Sequence, residues 1–245
     1  MFTVIPCTVR NLIRKTSAYS TLRKIRFRID YLRWDKSSVP PPHYVKQKIV
    51  LEYARKYQCK TLIETGTHLG FMVDVMKNHF KKIDSIELDQ ALYENATKQF
   101  GRYPHVAIHQ GDSARLLAEL LTKIDVSSCL FWLDGHYSGG ITARGLRETP
   151  IIYELHAILQ YVEAPVILID DARLFTGKHD YPHIQEVREI AADQGFSFAE
   201  GDDVIRLTPL QSRPSLFRSR TSFLRKNTIE VASQSGASER GSRCC

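Results

Sequence analysis

Three acidic residues stand where a short apolar run gives way to a turn. Glu64 opens the segment Glu64-Thr65-Gly66-Thr67-His68-Leu69-Gly70, Glu87 closes Ile83-Asp84-Ser85-Ile86-Glu87, and Asp112 follows Val106-Ala107-Ile108-His109 within Gly111-Asp112-Ser113. A carboxylate so placed can balance a cationic group or accept hydrogen bonds from paired hydroxyls, and a glycine lets the backbone come close to a ligand. Two more runs end in Leu133-Asp134-Gly135-His136-Tyr137 and Ile169-Asp170-Asp171-Ala172-Arg173. On neighbouring strands, Asp134, Asp170 and Asp171 meet at one edge, where several oxygen donors suit a hard cation such as Mg²⁺. His136, with an unperturbed pKa of about 6.5, suits proton abstraction near neutrality.

The elements that must position these residues are legible from hydrophobic period. Val39-Pro40-Pro41-Pro42-His43 cannot be helical and marks the start of the core near Tyr44. Helices are expected over 44–57, 69–80, 90–100, 113–121, 150–161 and 184–194, and strands at 61–64, 83–87, 106–109, 129–133 and 166–169. Thr149 reads as an N-cap with Pro150 at the first helical position. Phe196-Ser197-Phe198 and Val204-Ile205-Arg206-Leu207, separated by five residues, read as a terminal β-hairpin. Strands alternating with helices make a parallel sheet buried on both faces. The expected fold is α/β: a Rossmann-like, doubly wound, mostly parallel seven-stranded sheet with a terminal antiparallel hairpin, whose ligand lies outside the carboxyl ends of the strands.

The charge of the first loop selects among nucleotide-like ligands. Dinucleotide sites use GxGxxG, whereas this loop is GxxxG with an acid two residues before the first glycine. That acid repels a pyrophosphate but favours the sulfonium and ammonium groups of S-adenosylmethionine. The segment resembles motif I of the class I methyltransferases, acid-x-G-x-x-x-G, and the resemblance covers roughly residues 45–208. It implies that Glu64, Gly66, Thr67, Gly70 and Asp134 line the methionine end of S-adenosylmethionine. It also implies that Glu87, 23 residues after Glu64, accepts from the ribose hydroxyls, and that Asp112 and Ser113 meet the adenine. Other readings stand beside these: Glu87 as a solvated strand-end residue, and Asp112 as a helix N-cap, which is compatible with adenine contact. Asp134, Asp170 and Asp171 resemble the Mg²⁺ site of catechol-type and macrocin-type O-methyltransferases, which would acidify and align an acceptor hydroxyl. The alternative leaves Asp134 on the sulfonium and Asp170 and Asp171 capping a helix or pairing with Arg173. Asp134 and His136 are the candidate catalytic residues, with His136 open to a second reading as a ligand or loop anchor.

Residues 137–148, rich in glycine, read as a loop that can close over substrate. Its Arg144 and Arg147 either favour an acidic acceptor or are solvated, and His179 to Pro182 makes a second rim. The family offers no acceptor to carry over. The leading expectation is O-methylation of a small molecule or glycan hydroxyl. The alternatives are RNA or protein methylation through basic arms, and a cofactor-binding protein without turnover.

The net charge of +7 is uneven: residues 1–40 carry +7, residues 211–245 carry +5, and residues 41–210 about −5. A mildly acidic core argues against a basic groove for duplex nucleic acid, so nucleic acid is not the favoured partner. The organisation expected is a basic N-terminal arm over 1–40, with an imperfect amphipathic helix among residues 9–34, a methyltransferase domain over 41–210 and a disordered basic tail over 211–245. The arm suits peripheral membrane contact, and its acid-free start also suits a transit peptide. No apolar run approaches the ~20 residues of a membrane span. Five cysteines without metal-ligand spacing suit a reduced, cytoplasmic protein, with Cys244-Cys245 as a chance pair rather than a lipidation signal. The sequence sets no oligomeric state.

Overall fold

The computed structural model describes residues 17–36, 38–135, 149–161 and 165–210, with side chains from residue 21 onward. The first five strands are β1 (Thr61–Thr65), β2 (Lys82–Glu87), β3 (Val106–Gln110), β4 (Cys129–Leu133) and β5 (Val166–Ile169). β4 and β5 are continuous apolar runs, as burial on both faces requires, β1 and β2 bury Glu64, Asp84 and Ser85 among apolar residues, and β3 at the sheet edge is only half-buried. They are parallel, and β7 (Val204–Pro209) adds antiparallel to β5, with β6 (Phe196–Gly201) beyond it, giving the order β3-β2-β1-β4-β5-β7-β6.

Alternate side chains go to opposite faces and meet different helices. Leu62, Ile83, Leu130, Trp132 and Leu168 pack with α2 (His43–Lys56), α3 (Phe71–Met76) and α4 (Gln90–Phe100). Ile63, Ile86, Phe131, Leu133 and Ile167 pack with α5 (Ser113–Leu121), α6 (Ile151–Leu159) and α7 (Ile184–Asp193). The sheet is therefore doubly wound. Its order reverses between β1 and β4, so the crevice at the carboxyl ends of these two strands is the natural ligand position.

Three sequence expectations need correction. α3 is shorter than 69–80: Gly70 holds φ +67 as its N-cap, and the N–H groups of His79 and Phe80 turn back to the Met76 carbonyl. α6 starts one residue later than expected, with Pro150 at the N-cap while the Thr149 hydroxyl accepts from the Ile151 N–H at 3.3 Å. The hairpin turn is only Asp202-Asp203, at φ 47° and 60°, because two left-handed residues match the twist of paired strands.

Within the expected arm a helix, α1 (Ser17–Arg33), forms, and its side chains reach the domain. Arg23 reaches Asp74 of α3 at 2.6 Å, Phe27 stacks on His43 with ring centroids 5.2 Å apart, and Tyr31 packs on Tyr44 at 5.3 Å. Among the described residues no helix is long and apolar enough to cross a membrane. The expected tail over 211–245 lies outside the described residues.

Candidate functional site

The loop after β1 is held by the strands around it. The N–H groups of Gly66 and Thr67 both donate to the Ile86 carbonyl of β2, at 2.9 and 3.2 Å. Gly66 adopts φ +83, and a Cβ there would stand 2.3 Å from the Asp134 carbonyl oxygen. This glycine thus admits the chain leaving β4. The expected reason, clearance for the cofactor, is not the only one. Gly70 leaves room for the Phe100 ring, which a Cβ would approach to 2.6 Å. Thr67 turns its hydroxyl inward, 2.6 Å from that of Ser85.

Glu64 is buried beneath the loop, with the Ser85 hydroxyl donating to its carboxylate. Burial pushes its pKa up to about 8 against the pull of Ser85, and the negative charges of Asp134 and Glu87 add to the rise. An arriving cation would relieve that repulsion. Glu87, also buried, accepts the His68 N–H at 2.7 Å on one oxygen and the Asp89 N–H at 2.9 Å on the other. Two oriented acceptor oxygens at a strand end suit a ribose diol. Asp112 is exposed and caps α5 by accepting from the Ala114 N–H at 2.9 Å, and Ser113 is buried as the first residue of that helix.

The ends of β1, β4 and β5 are tied in a row, since the Asp134 N–H donates to the Thr65 carbonyl of β1 at 3.1 Å and the Asp170 N–H to the Leu133 carbonyl of β4 at 3.0 Å. Asp134 and the Asp170-Asp171 pair are therefore neighbours, as expected. The pair, however, is engaged. Lys46 of α2 reaches Asp170 at 2.5 Å and Asp171 at 3.2 Å, and Arg173 donates to Asp171 at 2.8 Å and also binds Asp203. Burial opposes the charge on Lys46, but Asp170, Asp171 and Asp134 reverse this and raise its pKa, so the ammonium stays charged.

A cation thus stands where the sequence suggested Mg²⁺. Among the described residues no group of three His, Cys, Asp or Glu side chains is placed to hold a metal ion. The expected Asp134, Asp170 and Asp171 metal site does not fit this arrangement, because two of its three carboxylates already share an ammonium.

Three further residues belong to the site that the sequence reading did not single out: Lys46, His43 and Glu154. His43 packs against the Phe27 and Phe71 rings, and Gln47 Nε2 donates to its Nδ1 at 2.9 Å. Burial lowers its pKa to about 4, with Asp134 opposing and Lys46 and Arg23 assisting, so the imidazole is neutral at physiological pH. His43 also borders a recess of about 340 Å³ shared with Phe27, Asp30, Trp34 and Pro42. Glu154 of α6 is buried, one carboxylate oxygen has no hydrogen-bond partner among the described residues, and burial pushes its pKa up to about 7 against the pull of Ser113 and Thr65. That same oxygen stands 3.2 Å from where a Cβ on Gly135 would be. One signal for Glu154 was present in the sequence: a lone acid on the apolar face formed by Ile151, Leu155 and Ile158. His136, Arg144, Arg147 and the rest of the 137–148 loop lie outside the described residues.

No known protein-family model matches the chain. A stretch of 115 residues is 24% identical to a protein of Pyrococcus abyssi (strain GE5 / Orsay) described as a probable ribosomal RNA small subunit methyltransferase A; it takes in 47% of this chain and 42% of that one, so the match spans less than half of that protein. Among solved structures, an O-methyltransferase from Bacillus cereus in complex with SAH superposes with a TM-score of 0.52, at 12% identity, over 84% of this chain and 93% of its own. The SAH-bound methyltransferase PaMTH1 of Podospora anserina gives 0.48 at 15% identity, over 86% of this chain and 100% of its own. Sheet order, terminal hairpin and the Bacillus cereus likeness agree: the chain has the fold of the class I S-adenosylmethionine-dependent methyltransferases.

Proposed function

We propose that the protein transfers a methyl group from S-adenosylmethionine to a hydroxyl of a small molecule or glycan. The observation that carries the reading is the row of acids at adjacent strand ends. Glu64 and Glu87 stand at β1 and β2 around a backbone-anchored loop, with Asp112 after β3. In this reading Glu87 holds the ribose, Asp112 and Ser113 meet the adenine edge, and Glu64 and Asp134 face the cationic methionine end. Gly66, Thr67 and Gly70 shape the loop that closes over it.

Transfer requires the acceptor oxygen in line with the methyl and sulfur, so the protein's task is positioning and exclusion of water. Lys46, fixed by Asp170 and Asp171, supplies positive charge beside Asp134 that stabilises an oxygen losing its proton. No step here runs through Mg²⁺. His136 is the proposed proton acceptor, since it follows Gly135 directly on the chain leaving β4. The aromatic recess beside His43 suits a small acceptor.

Calorimetry with S-adenosylhomocysteine, followed by transfer of a labelled methyl group to fractions of a cell extract, tests the proposal. The expected outcome is micromolar binding and label in a small-molecule or glycan fraction. Absence of binding would defeat it. A second reading, RNA methylation, draws on the match to the Pyrococcus abyssi protein and on the basic ends of the chain. It predicts instead that the label is released by ribonuclease.

A further inference from the structure

Helix α1 uses an unexpected face to join the domain. Its half-buried residues are Arg23, Phe27 and Tyr31, with Trp34 just beyond its end, and all four contact the domain or the segment leading into it. Arg23 also lies over the Phe71 ring, 4.4 Å from its centroid. These contacts settle the inner face, and the aliphatic residues fall elsewhere. Leu22 is 64% exposed, Ile25 49%, Ile29 40% and Leu32 79%. At about 100° per residue these four share an arc of roughly 80°, a continuous apolar ridge. Arg26 and Arg33 border the ridge on one side, Arg28 and Lys24 on the other, and all four are exposed. The helix holds five Lys and Arg against Asp30.

From this ridge we infer that α1 is a membrane-docking element that lays Leu22, Ile25, Ile29 and Leu32 into the headgroup boundary of an anionic lipid surface. The ridge is convex and has no groove, so it is shaped for a broad deformable surface and not for clasping a peptide. Cations on both borders ask for negative charge on both sides of the apolar line, which an anionic bilayer offers. Two copies of α1 meeting ridge to ridge would instead bring arginines against arginines. The preceding residues 1–16 add Arg10, Arg14 and Lys15 with no acid, which extends the attraction along the chain. The opposite face of α1 touches His43 and Phe71, so lipid docking and the candidate active site share one helix. The inference goes beyond the proposed reaction and does not depend on it.

The test uses the full chain with vesicles of phosphatidylcholine alone and of phosphatidylcholine with phosphatidylserine. The wild type is expected to sediment with the anionic vesicles and stay in solution with the neutral ones. Ile25→Glu with Ile29→Glu should weaken partitioning about tenfold or more, because each buried aliphatic side chain contributes on the order of one decade. Ala192→Glu with Ser197→Glu makes the same charge change at exposed positions of α7 and β6 and should partition as the wild type does. Both pairs are on the surface, and unchanged melting temperatures will establish that they fold. In Leu32→Trp the added indole emission should shift to the blue on anionic vesicles. Three results overturn the inference: a wild type that stays in solution, an Ile25→Glu, Ile29→Glu protein that sediments like the wild type, or a wild-type dimer in buffer that this variant separates.

Discussion

Glu64 brings a titration into the proposed cofactor site. Its carboxyl, near 4.5 in an unfolded chain, is pushed up to about 8 by burial, so between these values the folded protein holds a proton that the unfolded chain releases. The stability tied to that proton is complete below 4.5 and is lost as pH rises through 8. Glu64→Gln should therefore raise the melting temperature of the cofactor-free protein at pH 9 relative to wild type, and give no gain at pH 5; scanning fluorimetry at the two values decides. A shift independent of pH would count against a buried titrating carboxyl. At Glu87 the expectation concerns binding: Glu87→Ala should weaken S-adenosylhomocysteine by about 1–3 kcal/mol in calorimetry, the worth of hydrogen bonds to a charged acceptor. Lys46 permits a sharper contrast. Lys46→Met leaves the carboxylates of Asp170 and Asp171 without their shared ammonium and should cost about 3 kcal/mol. Millimolar Mg²⁺ should restore part of that loss, while neither Mg²⁺ nor chelator moves the melting temperature of the wild type. A wild type stabilised by Mg²⁺ would mean that metal displaces Lys46 after all.

At the scale of elements, what could be read in advance depended on how local the determining forces are. The fourth and fifth strands stood out most, because a parallel strand inside the sheet is buried on both faces and Cys129–Leu133 and Val166–Ile169 are buried at every position. Glu64, Glu87 and Asp112 followed from the first three, since a carboxyl end is a place on the chain. Lys46 could not be found this way: it lies 124 residues from Asp170, and nothing in either segment announces the other. What α1 packs against was hidden for a different reason. Its aliphatic stripe gave a helical period but not what the stripe faces, while the aromatic stripe of Phe27, Tyr31 and Trp34 made the contacts. Gly66 was singled out, but the neighbour that requires it came from β4. Gly66→Ala must therefore push against the Asp134 carbonyl as well as hold φ +83, and should cost about 2–4 kcal/mol. Gly177→Ala, at φ +76 with its nearest neighbour 3.9 Å away, carries only the backbone strain, about 1 kcal/mol. Urea titration of the two variants will separate close approach from strain, and equal losses would remove the packing argument for Gly66.

Across the whole molecule the two basic ends have different standing. The compact unit closes at Pro209, the last residue of β7, whereas α1 joins that unit through Arg23, Phe27 and Tyr31. Deleting residues 1–36 takes a guanidinium from the buried Asp74, which keeps Lys77 at 2.5 Å, and uncovers Phe71, Tyr44 and the rings around His43. Loss of one buried ion-pair partner and of several aromatic contacts should cost about 2–4 kcal/mol. For a domain of this size that lowers the melting temperature by roughly 5–15 °C. Residues 211–245 carry no apolar period with which to join a core, so their deletion should leave the melting temperature within about 1 °C. The two truncations also change net charge in the same direction, by −7 for residues 1–36 and by −5 for the tail, so general electrostatics alone would move both proteins alike. A large drop confined to the N-terminal truncation therefore reports packing of α1, and equal drops would show that the basic ends act only through charge.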